Sequence, residues 1–259
     1  MSDEGSSKQS IMAATKSRAS FSTHRKSMGA AGFISPYDEG KQGSFLSESG
    51  ETAIVNPPAG GLPDFEIGVA WDNVIPPKQK STGGFLNKIL GKDKSASKPS
   101  KHKGIDLDLG CLYELQNGQR GAIQAFGELF GNKEDSPYIK LSGDERTGEA
   151  EGEDEMITVN GAKWSEIKQI VIYIYIYSGA TNWEAVKPQI QVRVPGEKPM
   201  IVSLHAKREE LALCAVAGIE NVRQGIKMTN YLEYFPGHAE MDRAFGFGLE
   251  WDEGVKQDY

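Results

Sequence analysis

The stretch Gln169–Tyr177, QIVIYIYIY, constrains this chain more than any other. Side chains alternate across a strand, so Ile170, Ile172, Ile174 and Ile176 face one way while Val171, Tyr173, Tyr175 and Tyr177 face the other. Both faces are apolar, so both need cover, and such a strand cannot sit at an exposed sheet edge without inviting association. The segment predicts a central strand with packed layers above and below it.

The surrounding sequence supplies neighbours for it. In Ile105–Leu115, Ile105, Leu107, Leu109, Cys111, Tyr113 and Leu115 share one face and Asp106, Asp108 and Gly110 the other, and Asn117-Gly118 follows as a turn. Asp64–Val74 alternates Phe65, Ile67 and Val69, and further strands are expected at Gly121–Phe126, Tyr138–Leu141, Met156–Val159, Ile190–Val194, Met200–Leu204, Leu211–Gly218 and Lys227–Tyr234. Helical turns fit Trp164–Lys168, Asn182–Ala185 and Ala239–Phe245. About ten short strands without βαβ alternation or a 20–50-residue repeat predict an all-β fold. The expected architecture is a β-sandwich of two mostly antiparallel sheets with a few short helical turns.

Not all of the chain fits that domain. Mean hydropathy is −0.46 and only 38% of the 259 residues are hydrophobic, which predicts an unfolded portion. Residues 1–62 are rich in Ser, Gly and Lys without a hydrophobic period, and are expected to be disordered; residues 63–259 form the expected sandwich domain. A Lys-rich insertion at about 78–103 interrupts it, with eight lysines against Asp93. Within it, Phe85, Leu86, Ile89 and Leu90 share one side of a two-turn helical pattern, too short to be stable alone. Two readings stand: a solvated loop with a small apolar anchor, or a basic amphipathic segment making peripheral contact with anionic lipid or nucleic acid.

Charge is split in the same way, +4 over residues 1–103 and −11 over 104–259. No run approaches the ~20 apolar residues that span a bilayer. The N-terminus lacks the apolar core of a secretory signal, and its acidic start and Gly-rich runs argue against an organelle transit peptide. Cys111 and Cys214 lie far apart in apolar runs and read as buried thiols, so a cytoplasmic location is expected, with membrane association open through the insertion.

The acidic half concentrates its charge. Between Asp144 and Glu155 there are seven carboxylates against Arg146, a local charge of −6 in twelve residues. That density is unfavourable unless the segment is extended in water or neutralised by a cation. Gly143, Gly148 and Gly152 would let the backbone fold back so that oxygens converge, and calcium takes six to eight hard oxygens at about 2.3–2.6 Å. The spacing is not that of an EF-hand. Acidity alone does not separate a cation site from a solvated loop. Asp106 and Asp108 add a second wall, because residues two apart on a strand project their carboxylates to one side about 6–7 Å apart.

Several segments in order carry a resemblance: GIDLDLGCLYEL at Gly104–Leu115, SGDERTGEAEGEDE at Ser142–Glu155, WSEIKQIVIYIYIY at Trp164–Tyr177 and GATNWEAV at Gly179–Val186. They resemble the TerD-type domain of tellurium-resistance and stress proteins. The GIDLDLG strand, Tyr231–Trp251 and the strand bearing Trp71 resemble its TerA branch. The similarity runs from about Asp64 to Trp251. It implies a calcium-binding sandwich, non-enzymatic, acting as a scaffold or sensor among other stress and tellurium-resistance proteins. The implied ligands are Asp106, Asp108, Asp144, Glu149, Glu151, Glu153, Asp154 and Glu155, holding one or two Ca2+ ions. Glu151 and Glu153 stand where such members often have Asp, which puts the second ion in doubt. A small-ligand, cyclic-nucleotide-like binding module of the same fold is the other function the resemblance implies.

Other chemistries lack their residues. Histidines 24, 102, 205 and 238 have no zinc spacing, and His238 reads as ordering a terminal turn. GxSxG, P-loop and GxGxxG patterns are missing, and nucleic acid is not the expected partner. Trp71, Trp164, Trp183 and Trp251 read as core or sheet-edge aromatics.

Overall fold

The computed structural model describes residues 10–14, 43–71, 106–142, 155–178, 182–204 and 211–254. Among the described residues, fifteen strands run in chain order. The first eight are β1 (Ser10–Ala14), β2 (Ser44–Phe45), β3 (Thr52–Val55), β4 (Phe65–Ala70), β5 (Asp106–Leu115), β6 (Arg120–Ile123), β7 (Gly131–Asn132) and β8 (Ile139–Leu141). They continue with β9 (Met156–Val159), β10 (Ile167–Ser178), β11 (Gln189–Arg193), β12 (Met200–Ser203), β13 (Leu213–Val222), β14 (Gly225–Phe235) and β15 (Glu250–Gly254). Helical structure among the described residues is confined to α1 (Trp183–Val186), α2 (His238–Phe245) and 3-10 turns at Phe126–Glu128 and Gly161–Glu166.

Two sheets make the sandwich. One has six strands in the order β3-β14-β13-β10-β5-β6, the other seven in the order β2-β12-β11-β4-β9-β8-β7. Their pairings are antiparallel except β2 with β12. The all-β sandwich read from the sequence is the fold observed. β10, the QIVIYIYIY strand, lies between β13 and β5, inside its sheet as its composition demands.

The two faces of β10 enter two apolar layers. Ile170, Ile172, Ile174 and Ile176 join the core between the sheets, with Leu107, Leu109 and Cys111 of β5 and Phe65, Ile67 and Val69 of β4. Val171, Tyr173 and Tyr175 face away from it, into a second layer with Leu112, Phe126, Leu213 and Met241. α2 supplies the cover: His238, Met241 and Asp242 are its buried residues, at the i, i+3 and i+4 spacing of one helix face. Gly246 ends it in the left-handed conformation at φ 72°, with its N–H donating to Asp242 O.

Most expected elements are present within a residue or two. The beginning of the domain needs correction. Residues 1–62 were expected to be disordered, yet three strands lie among them. Ser44 N–H donates to Pro199 O and Leu46 N–H to Ile201 O, both at 2.8 Å, while β3 pairs with β14. Asn230, buried in β14, donates from its side chain to Leu46 O and accepts at its main-chain oxygen from Gly50 N–H. These short segments gain their structure from partners about 155 to 240 positions away, which local composition does not report. The Lys-rich insertion at about 78–103 lies outside the described residues.

Candidate metal centre at the β5 edge

β5 ends its alternation in two carboxylates. Leu107 and Leu109 point into the core between the sheets, so Asp106 and Asp108 point the opposite way, onto the face that Leu112 shares with the second apolar layer. That face is covered. Asp106 is 6% exposed and Asp108 2%. Asp108 stands opposite Tyr175 of β10 and Asp106 opposite Ser178. Burial raises the pKa of Tyr173 and Tyr175; the Asp108 charge adds to both, after the Cys111 contribution at Tyr173. Asp108 therefore lies electrically close to the tyrosine face.

A third carboxylate arrives from the other sheet. Alternate N–H groups of β5 point toward β6, as Leu115 N–H does in donating to Gln119 O. β6 stops at Ile123, opposite Cys111, so the next N–H in that series, on Leu109, lies beyond its last strand neighbour. Glu155 takes the missing place: its Oε2 accepts from Leu109 N–H at 2.5 Å, and the residue is 3% exposed. Glu155 immediately precedes β9, and its carbonyl accepts from Val69 N–H of β4. It bridges the two sheets.

Glu155 is also the last residue of the acidic run. β8 and β9 form a hairpin whose neck is closed by Ser142 N–H donating to Met156 O at 2.7 Å and Met156 N–H donating to Ser142 Oγ at 2.9 Å. The acidic loop, residues 143–154, leaves and returns at that neck. Asp144, Glu149, Glu151, Glu153 and Asp154 lie outside the described residues. Of the eight expected ligands, the structure places Asp106, Asp108 and Glu155, and brings the loop's exit to the main chain next to Asp108. Among the described residues no three His, Cys, Asp or Glu side chains are grouped so as to hold a metal ion. The carboxylates placed here fit calcium as hard oxygen donors. By themselves they are not grouped as a complete ligand set.

Beside the aspartates lies a feature the sequence reading missed. His238, read as ordering a terminal turn, is the first residue of α2 and only 2% exposed. Its ring stacks on Trp251 at 5.2 Å and 30°, with Tyr173 and Tyr175 at 5.3 and 5.4 Å and Phe126 at 6.2 Å. Burial lowers its pKa to about 4. The available signal was the tyrosine face of QIVIYIYIY, which required cover that the Ala239–Phe245 turn was there to supply. Cys111 and Cys214 are buried and reduced, with thiol pKa values raised by burial, as their apolar runs predicted.

A carboxylate network of another kind sits at the far end of β5. Glu114 accepts from Lys168 and Arg120, each at 3.1 Å, and from Gln169 at 2.7 Å. Burial pushes its pKa up, but these donors outweigh it and hold the carboxyl below its ordinary value. Glu114 is a structural hub, its carboxylate taken up by these three donors.

No protein-family model matches the chain. The tellurium resistance protein TerA of Alcaligenes sp is 38% identical over 175 residues, which are 68% of this chain and 49% of that protein. The chain thus spans about half the length of the curated relative it matches. The order of the GIDLDLG strand, the acidic hairpin and the two-faced central strand, together with that identity, shows that the chain belongs to the tellurium-resistance TerD-domain family, on its TerA side.

Proposed function

We propose that this protein binds calcium at the β5 edge and serves tellurium resistance or stress response without catalysis, as a scaffold or sensor for other proteins of that response. The observation that carries the reading is the Glu155 bridge, which ties the exit of the acidic loop to Leu109 N–H beside the buried Asp108. Asp106, Asp108 and Glu155 would hold the ion from the framework, with Asp144, Glu149, Glu151, Glu153 and Asp154 from the loop. When bound, the ion supplies neutralisation of that carboxylate density. The chain's own residues do the rest: β5 fixes two carboxylates on a rigid strand, and the Ser142–Met156 neck limits where the loop can go. A loop so ordered presents a surface of defined shape to a partner, and binding that favours the folded state raises its stability. The relative's name supports tellurium resistance as the setting. A cytoplasmic location fits the two reduced cysteines, and no helix among the described residues is long and apolar enough to cross a membrane.

Calorimetric titration of the full chain with calcium, read for stoichiometry, tests this directly. Saturable binding at one or two ions, with a rise in Tm, is expected. Asp106→Asn with Asp108→Asn should abolish both while circular dichroism still reports the sandwich. A wild type that gives neither heat nor thermal shift rejects the reading.

A further inference from the structure

β15 stands outside both sandwich sheets. Among the described residues its strand partner is β1, parallel, in the register Ser10 with Glu250 through Ala14 with Gly254. Contacts of its own seat β15 on the domain. Trp251 stacks on His238 at 5.2 Å, and just before the strand Leu249 N–H donates to Asp242 Oδ2 at 3.0 Å. With that side anchored, the edge β1 occupies is a row of main-chain donors and acceptors presented by a strand already in place.

The two partners are opposite in charge. β15 carries Glu250, Asp252 and Glu253, whereas residues 5–37 contain Lys8, Lys16, Arg18, Arg25 and Lys26 and no acid. Ser10–Ala14 itself is uncharged and mostly apolar, SIMAA, with Lys8 before it and Lys16 and Arg18 after it. It is only five residues long and is joined to Gly43 through 28 intervening positions. A strand pairing of only five residues can be contested by a free segment of like pattern. Parallel pairs are also slightly weaker per residue than antiparallel ones.

We propose that the β15 edge is a strand-acceptor site for an extended segment of a partner protein, small or apolar in its centre and flanked by lysine or arginine, with Ser10–Ala14 as its resident, displaceable occupant. Main-chain hydrogen bonds supply the affinity of strand addition, and the acidic row selects basic flanks and speeds encounter. The site neither uses nor requires a cation, so it stands apart from the calcium reading.

Hydrogen exchange on the full chain tests it. The alternate amides of 250–254 that face β1 should be protected in the wild type and exchange roughly tenfold faster in Met12→Pro/Ala13→Pro, since alternate N–H groups of β1 face β15 and one of the two prolines must remove a ladder donor. Amides of β10 and β13 should not change. A synthetic peptide of residues 6–18 added to that variant should restore protection saturably, and more weakly at high salt. The charge-neutral set Glu250→Gln/Asp252→Asn/Glu253→Gln, made in the wild type, should itself speed exchange at 250–254 several-fold. The proposal is overturned if these amides exchange alike in wild type and both variants, or if a scrambled peptide protects as well as the native one.

Discussion

His238 is a residue whose charge the fold tolerates poorly. Tyr173, Tyr175, Phe126 and Trp251 surround it, and its Nε2 is buried with no hydrogen-bond partner among the described residues. Its folded pKa of about 4 lies below the 6.5 of an ordinary imidazole, so the unfolded chain binds the proton more readily. Stability from this residue is complete above pH 6.5 and declines as pH falls through the window toward 4, by up to about 3 kcal/mol. His238→Phe keeps the aromatic packing and removes the titration. Urea unfolding at pH 6.5 and 4.5 should show a smaller acid loss in that variant than in the wild type; equal losses would mean that His238 does not titrate on unfolding. Glu114 acts in a lower window, because its lowered pKa gives stability that is lost only as pH falls below 4.5.

At the scale of elements, glycines decide how close the strands of the large sheet lie to their tyrosines. Gly110 of β5 pairs with Tyr173 of β10, and a methyl at Gly110 would overlap the Tyr173 ring. A methyl at Gly121 or Gly218 would likewise overlap the side chain of Tyr113 or Tyr231. Gly110→Ala should therefore lower unfolding free energy by about 1–3 kcal/mol through overpacking. Gly60→Ala, with nothing within 4 Å, is the control expected to leave Tm nearly unchanged. This close packing also explains what could be read in advance. β5, β10, β13 and β14 each run ten residues or more, and β5 and β10 alternate with period 2, so the strands and the central position of β10 were legible. β2 and β3 were not, because two and four residues among Ser and Glu carry no period and depend on distant partners. Of the candidate site, Asp106 and Asp108 were legible as a pair and the loop as a charge density. That Glu155 would replace a missing β6 neighbour of Leu109 could not be read, since it depends on β6 ending at Ile123.

The described fold is closed by segments far apart in sequence. β3 completes one edge of the six-stranded sheet by pairing with β14, and β1 meets β15, so segments near the start wait for segments near the finish. β10 waits too: its neighbour β13 begins at Leu213 and the α2 cover of its tyrosine face runs to Phe245. On a ribosome, QIVIYIYIY therefore emerges long before its β13 edge and its tyrosine face can be covered. An apolar, β-branched and aromatic segment without charge is the composition most prone to intermolecular β association. Nascent chains stalled with residues up to 212 outside the exit tunnel should be cleaved readily by added protease and retain bound chaperone. Those with residue 254 outside should resist cleavage and release it. The two-faced strand that organises the finished sandwich is thus its greatest hazard during synthesis, and the last fifth of the chain ends that exposure.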